Sequence, residues 1–303
     1  MTKYLLIIAT SLLFISCGGG GSSSTAIIGG SVTPSTNDFE VNVSAYDEPD
    51  ESKIPKLSMG EAIPWNIQLD DQTNAINENY TVGMYEVDLF ETDASLISSL
   101  KTKGAIVICY FNGGAWEEWT EDADDFPEEV KGNDMDGWPG EKWLDITNGA
   151  LKDIMEARLQ LAVDKGCDGV DPDNMNGFLA DNNTGFDLTA DNQLAYNRYM
   201  ANAAREKGLS VALKNDLEQI ADLVNYFDFA VNEECFEHEE CDELAPFIDA
   251  GKAVFNIEYA DKYINNTNGA RDTMCDESTN TRKFSTLIMP YELDGSSRDA
   301  CIN

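Results

Sequence analysis

Histidine is almost missing from this chain: 303 residues contain one, His238. A zinc centre built on two or three histidines is thereby nearly excluded, and a Ser-His-Asp triad has a single candidate base. His238 lies in the acidic run CFEHEEC (Cys235–Cys241), which reads as a solvated loop rather than a catalytic centre. Positive charge is scarce too, with 20 Lys and Arg against 56 Asp and Glu and a formal net charge of −36. Such a surface repels nucleic acid and anionic lipid and attracts cationic ligands. Plain solubility of an exported protein accounts for the acidity equally well. No CxxC pair marks a metal–thiolate site, no glycine-rich phosphate loop follows the first strand, and no solenoid repeat is present. No apolar run has the length of a standard membrane span.

What the N-terminus does have is an export signal. Lys3 supplies the positive charge and Tyr4 to Ile15 a short apolar core, followed by Ser16, Cys17 and four glycines. The FISC sequence resembles a bacterial lipobox, with Phe14 in place of the usual leucine, so lipidation at Cys17 is expected. Secretion with another cleavage site is the alternative. The expected organisation is a signal peptide over 1–17, a flexible Gly/Ser/Thr-rich linker over 18–60 and one folded domain over 61–303. A short strand around Phe39–Val43 is weakly indicated. The expected location is the outer membrane or cell surface of a bacterium, or else secreted or periplasmic. In that oxidising setting Cys109, Cys167, Cys235, Cys241, Cys275 and Cys301 are expected to form disulfides, with fifteen pairings open.

From about Ile63 the texture alternates between strand and helix. Apolar runs at Ile63–Leu69, Thr81–Leu89, Ala105–Phe111, Cys167–Asp171, Leu209–Lys214, Phe227–Asn232, Ala253–Ile257 and Ser285–Pro290 give eight strands. Helical patterns separate them at Ala94–Lys103, Asn148–Lys165, Ala190–Lys207, Asp216–Asn225 and Cys241–Ala250. Leu151, Ile154, Met155, Arg158 and Leu161 fall on one side of the second helix, as for a helix lying on a sheet. The fold class is therefore α/β, a (β/α)₈ TIM barrel, for which about 250 residues suffice.

In a barrel, chemistry sits at the C-terminal ends of the strands. There the chain carries Asp88, Tyr110, Asn112, Asp171, Asp173, Lys214, Asn215, Glu233, Glu258 and Tyr259. The stretch GCDGVDPDNMNG (Gly166–Gly177) runs from an apolar approach into a burst of aspartates, and FDFAVNEEC (Phe227–Cys235) places Glu233 on another strand end. Two carboxyl groups on neighbouring strand ends are the minimum for cleaving a glycosidic bond. Trp65, Trp116, Trp119 and Trp143 offer flat faces for sugar rings, or else pack in the core. The long segment Trp116–Trp143 reads as a lid or cleft wall. Its acidic runs, Glu121–Glu129 and Asn133–Gly137, lack the ligand spacing of a calcium loop and read as solvated, so no metal or other cofactor is expected.

These stretches together resemble glycoside hydrolase family 114, the endo-α-1,4-polygalactosaminidases. The resemblance rests on YEVDLF (Tyr85–Phe90), VICYFNGGAWEEW (Val107–Trp119), WPGEKWLDI (Trp138–Ile146), GCDGVDPDN (Gly166–Asn174), ALKND (Ala212–Asp216), NEEC (Asn232–Cys235) and VFNIEY (Val254–Tyr259). It implies an eight-stranded barrel that hydrolyses α-1,4-linked galactosamine polymers with an aspartate and a glutamate. By motif position these are Asp173 and Glu233, with Asp171 as the rival aspartate. It further implies the disulfides Cys109–Cys167, Cys235–Cys241 and Cys275–Cys301. The chain departs from the family at Asn112-Gly113-Gly114, at Thr120 and at Glu234, near the cleft. The expected mechanism is retaining, with Asp173 as nucleophile and Glu233 as acid/base. Asp88, Glu117, Asp145, Asp171 and Glu258 are expected to meet the ammonium groups of a cationic amino-sugar polymer. Tyr110, Trp119, Lys214, Asn215 and Tyr259 complete the expected substrate-binding set. Lys214 reads equally as half of a buried ion pair. The protein is expected to act as a monomer. A non-catalytic carbohydrate-binding surface lipoprotein is the alternative reading.

Overall fold

The computed structural model describes residues 37–57, 60–70 and 75–302. The expected signal peptide and the lipidation site Cys17 lie outside the described residues. Eight parallel strands follow one another in the sheet in chain order: β1 Trp65–Gln68, β2 Met84–Asp88, β3 Ile106–Asn112, β4 Gly169–Asp173, β5 Ser210–Lys214, β6 Phe229–Glu233, β7 Val254–Glu258 and β8 Ser285–Ile288. A two-residue strand, Asp299–Ala300, adds antiparallel to β8. The sheet curls until its ends meet, where the Trp65 indole N–H donates to the Ser285 carbonyl at 2.8 Å. All eight expected strands are present: each is a dense apolar run, and helices follow β2 to β7 and cover the sheet.

Strand alternation sorts the side chains into two cores. Inside the barrel Trp65, Ile67, Met84, Ile108, Phe229, Phe255 and Leu287 pack together. Between sheet and helices lie Val87, Val107, Val170, Val211, Leu213 and Val254, facing residues such as Met155 and Leu159 of the helix Leu151–Lys165. Three disulfides form, Cys109–Cys167, Cys235–Cys241 and Cys275–Cys301, the pairing implied by the resemblance.

Two expectations about the segment before β1 change. No strand forms at 39–43. The stretch 37–57, expected as part of a flexible linker, instead laces along the helix Ala190–Glu206. Phe39 is buried against Tyr196 and Tyr199, Arg198 donates to the Val41 carbonyl, and the Tyr46 N–H donates to Asn202 at 2.9 Å. Polar composition hid this, because long side chains of the helix satisfy the segment's backbone and only one aromatic anchors it.

The loop after β3 folds into a small antiparallel sheet of Ala115–Glu117, Lys131–Asp134 and Glu141–Leu144. This is the expected cleft wall. Arg158, fully buried, pins it: its guanidinium donates twice to Asp122, at 2.7 and 2.9 Å, and once to the Asn112 carbonyl at 2.6 Å. Phe90 and Phe126 lie over the same guanidinium, each ring centre 5.1 Å away.

Candidate active site

A strand of period two sends Tyr110, Asp171, Asp173, Lys214 and Glu233 to the inward face, alongside Ile108, Ala212 and Val231. Asp173 and Glu233 are the last residues of β4 and β6, and Lys214 is the last of β5 between them. The Lys214 ammonium lies 3.5 Å from Asp173 Oδ2, 3.7 Å from Glu233 Oε2 and 3.9 Å from Asp171 Oδ2. The two strand-tip oxygens are thus no further apart than the sum of the first two distances, about 7 Å. Each carboxylate also has a tyrosine. Tyr110 donates to Asp173 at 2.9 Å and Tyr259 donates to Glu233 at 2.5 Å. Burial and the adjacent carboxylates push both phenols well above the usual tyrosine range, which keeps them as donors. The Asn174 N–H completes the donors on Asp173 at 2.6 Å, and the Asn215 amide completes those on Glu233 at 3.1 Å.

The chain turns sharply after each of these residues. Asn174, Asn215, Asp216 and Glu234 have φ of 60°, 52°, 46° and 60°. Non-glycine residues enter that left-handed region at a cost of order 1 kcal/mol each, and they cluster where function holds them. The Gly113 and Gly114 N–H groups both donate to the Asp173 carbonyl at 2.9 Å. A Cβ on Gly114 would stand 1.8 Å from the Asn174 carbonyl oxygen, so the wall can approach β4 only with glycine there. Asn112 ties the wall down further, donating to Glu141 at 3.1 Å and accepting from Asn174 at 2.9 Å.

The strand ends open into a central cavity of about 330 Å³ lined by Tyr110, Asp173, Lys214, Glu233, Tyr259 and Trp138, among others. It shares Tyr110, Trp138, Glu141 and Tyr291 with a neighbouring cavity of about 620 Å³. On the other side it shares Asn176, Asn215, Glu233 and Glu234 with a third, also about 620 Å³. The three form one groove over the barrel mouth. Rings gather on one arm, where Trp138 and Tyr291 stack 5.5 Å apart and Trp119 is exposed. The other arm has no ring and is lined by Asp216, Glu218, Glu240 and Glu243. Among the described lining residues of all three cavities, Lys214 is the one cation.

Several groove carboxyl groups hold their protons unusually well. Burial raises Glu117 to about 8, Glu141 to about 7, Asp216 to about 8 and Asp88 to about 6. Carboxylate neighbours add to the rise in each case, Glu141 beside Glu117, Asp173 beside Glu141, Glu218 beside Asp216 and Glu91 beside Asp88.

Of the expected site residues, Asp173, Glu233, Tyr110, Lys214, Asn215 and Tyr259 line the central cavity, and Asp88, Glu117 and Trp119 line the aromatic arm. The two readings of Lys214 merge: it is a buried ion-pair partner, and its partners are the strand-tip carboxylates. Three expectations change. Asp171 is fully buried below the cleft floor. Glu258 points outward beneath the helices, accepting from the Phe236 N–H at 2.9 Å, because it shares the parity of Asn256 rather than Ile257. Asp145 accepts from the Thr147 hydroxyl at 2.6 Å, a local turn contact away from the cleft. Of the two readings open for each tryptophan, Trp65 takes the core one, while Trp143, largely buried in the wall, still lines the central cavity. His238 is exposed, as expected, with Nε2 3.9 Å from Glu234. Sequence reasoning missed Glu86, Trp138, Glu141 and Tyr291.

The sequence profile of glycoside-hydrolase family GH114 matches residues 45–301. Among solved structures, Aspergillus fumigatus Ega3 in complex with galactosamine is 36% identical. That match covers 85% of this chain and 100% of Ega3, with a TM-score of 0.75. The glycoside hydrolase domain of PelA from Pseudomonas aeruginosa is 12% identical and covers 78% of this chain and 96% of its own, with a TM-score of 0.58. At that identity it speaks for the fold alone. No curated protein gives a match.

Proposed function

The chain belongs to glycoside-hydrolase family GH114, and from that premise we propose that it is an endo-acting hydrolase of α-1,4-linked galactosamine polymers. One observation carries the reading: Asp173 and Glu233 stand on alternate strand tips, share the ammonium of Lys214, and sit midway along a groove that continues on both sides. Asp173, surrounded by the Tyr110 hydroxyl, the Asn174 N–H and Lys214, attacks the anomeric carbon as an anion. Glu233 gives its proton to the leaving oxygen and later takes one from water. The limit of about 7 Å on their oxygens includes the about 5–5.5 Å spacing of retaining enzymes and leaves out most of the inverting range of about 6.5–9.5 Å. The relative crystallised with galactosamine supports the amino-sugar assignment. So does the groove, whose carboxylates suit ammonium groups and whose rings suit sugar faces.

The proposed place of action is outside the cytoplasm, on a lipid anchor at Cys17. The export signal and three disulfides support that placement.

The test is product release from deacetylated α-1,4-galactosaminan, followed by proton NMR from the first minutes of reaction. Oligomers that appear first as the α anomer are expected. Raising the salt from about 20 to about 500 mM is expected to lower kcat/KM at least about tenfold, since steering by surface charge is screened within about 10 Å at 0.1 M. An initial β product would end the retaining assignment, and binding without any cleavage would end the hydrolase reading.

A further inference from the structure

Beneath the cleft floor lies a pair of carboxyl groups that the proposed reaction does not use. Glu86 of β2 and Asp171 of β4 are both fully buried, one strand apart on the inward face of the sheet. None of their four oxygens meets a conventional hydrogen-bond donor. The charged groups that face the pair are Lys214 of β5, Asp173 above it on β4, and Glu233 of β6. From β1, β3, β7 and β8 the barrel presents the apolar Ile67, Ile108, Ile257 and Leu287, and β3 adds Tyr110, a neutral phenol that donates to Asp173. The one ammonium already serves Asp171, Asp173 and Glu233. A further ionised carboxylate in that dry interior would be repelled with no cation to offset it. A single proton held between Glu86 and Asp171 removes the repulsion and makes the hydrogen bond their oxygens otherwise lack.

We propose that Glu86 is a positioning residue of the reaction centre: it carries a proton donated to Asp171, and the Asp171 carboxylate so fixed holds Lys214 from below, between Asp173 and Glu233. Burial raises both carboxyl groups, Asp171 to about 7 and Glu86 well above the usual range, and the Lys214 ammonium lies 3.9 Å from Asp171 and pairs with Asp171 rather than Glu86, which assigns the proton to Glu86. Lys214 then keeps one constant anionic partner while Glu233 loses and regains its proton in each turnover. This inference rests on the proposed hydrolysis only for that last consequence.

The experiment compares the full chain with E86Q, whose amide still donates, and E86L, which has similar bulk and no donor. E86Q is expected to stay within about threefold of the wild-type kcat with both limbs of the pH–rate profile in place. E86L is expected to lose at least about tenfold in kcat, with KM changed less than about twofold and the limbs displaced. A second arm needs no substrate. In the unliganded protein at mildly alkaline pH, the infrared carbonyl stretch of protonated carboxyl groups should lose one component in E86Q. Failure of the hydrolase reading leaves that arm standing. An unchanged band in E86Q overturns the proposal. So does an E86Q profile displaced as far as that of E86L, or an E86L enzyme that turns over like wild type. Should E86L not fold, the band and profile of E86Q decide.

Discussion

Asp173→Asn and Glu233→Gln are each expected to lose at least about 10³-fold in kcat on galactosaminan while KM moves far less, because on the proposed mechanism each removes a group that forms or breaks bonds only in the transition state. Both substitutions keep the shape, and the side-chain amide can still accept from Tyr110 or Tyr259, so the fold should survive. The two losses differ in kind. Without Glu233 the enzyme lacks the proton for the leaving oxygen. An activated galactosaminide whose leaving group needs no protonation should therefore form the covalent intermediate at a near-normal rate. Without Asp173 no intermediate forms on any substrate. Pre-steady-state release of a chromogenic leaving group separates the cases: a burst followed by slow turnover is expected for Glu233→Gln, and no burst for Asp173→Asn. The reverse pattern would exchange the two roles. Full activity of Asp173→Asn would move the nucleophile elsewhere, against the burial of Asp171.

The second large effect is on stability and has the opposite sign to ordinary acid denaturation. Glu117, Glu141, Asp216 and Asp88 are raised in the fold to about 8, 7, 8 and 6, mainly by burial. A carboxyl group raised above its unfolded value binds more protons when folded, so its stabilising contribution is full below about pH 4 and is lost as pH climbs through the folded value. At about 1.4 kcal/mol per pH unit for each such group, and with partial hydration of the groove discounting the sum, several kcal/mol are at stake between about pH 5 and pH 8. For a domain of this size that corresponds to a fall in Tm of roughly 10 °C. Relief of self-repulsion in a chain of net charge −36 acts in the same direction. Salt screens that repulsion but not the burial. Calorimetry in high salt is therefore the measurement, with the Glu117→Gln, Asp216→Asn double variant as comparison. The wild type should still lose stability toward alkaline pH, and the double variant should lose much less. A Tm that rises over this range would refute the assignment.

Much of this was legible in the sequence, and the misses have physical causes. The eight strands were readable because each is a dense apolar run that both cores need, and Asp173 and Glu233 were readable because charge at the end of such a run has to serve something. Glu258 was misread by ignoring parity. It alternates with Ile257 and Tyr259, which face in, so it had to face out. The same rule applied to MYEVD would have placed Glu86 inward, between Met84 and Asp88. The wall was legible as a segment, but its internal sheet was not. Its strands are three or four residues long, and one of them reads KGND, with no apolar alternation. Trp138, Glu141 and Tyr291 therefore gave no sign that they meet over the cleft. Asp145 failed for a similar reason, because a turn contact to Thr147 cannot be told from a ligand contact by residue type.

A groove with an arm on each side of the carboxyl pair also bears on how a gel of the polymer would liquefy. An arm lies on each side of Asp173 and Glu233, so on the proposed endo action a long strand is expected to lie across the mouth and be cut within its length. A few random scissions per strand are enough to drop the molecular weight that sustains entanglement. Viscosity should collapse early, while reducing ends accumulate slowly and galactosamine monomer stays a minor product. In a rheometer the protein would behave as a thinning agent well before it registers as a source of sugar.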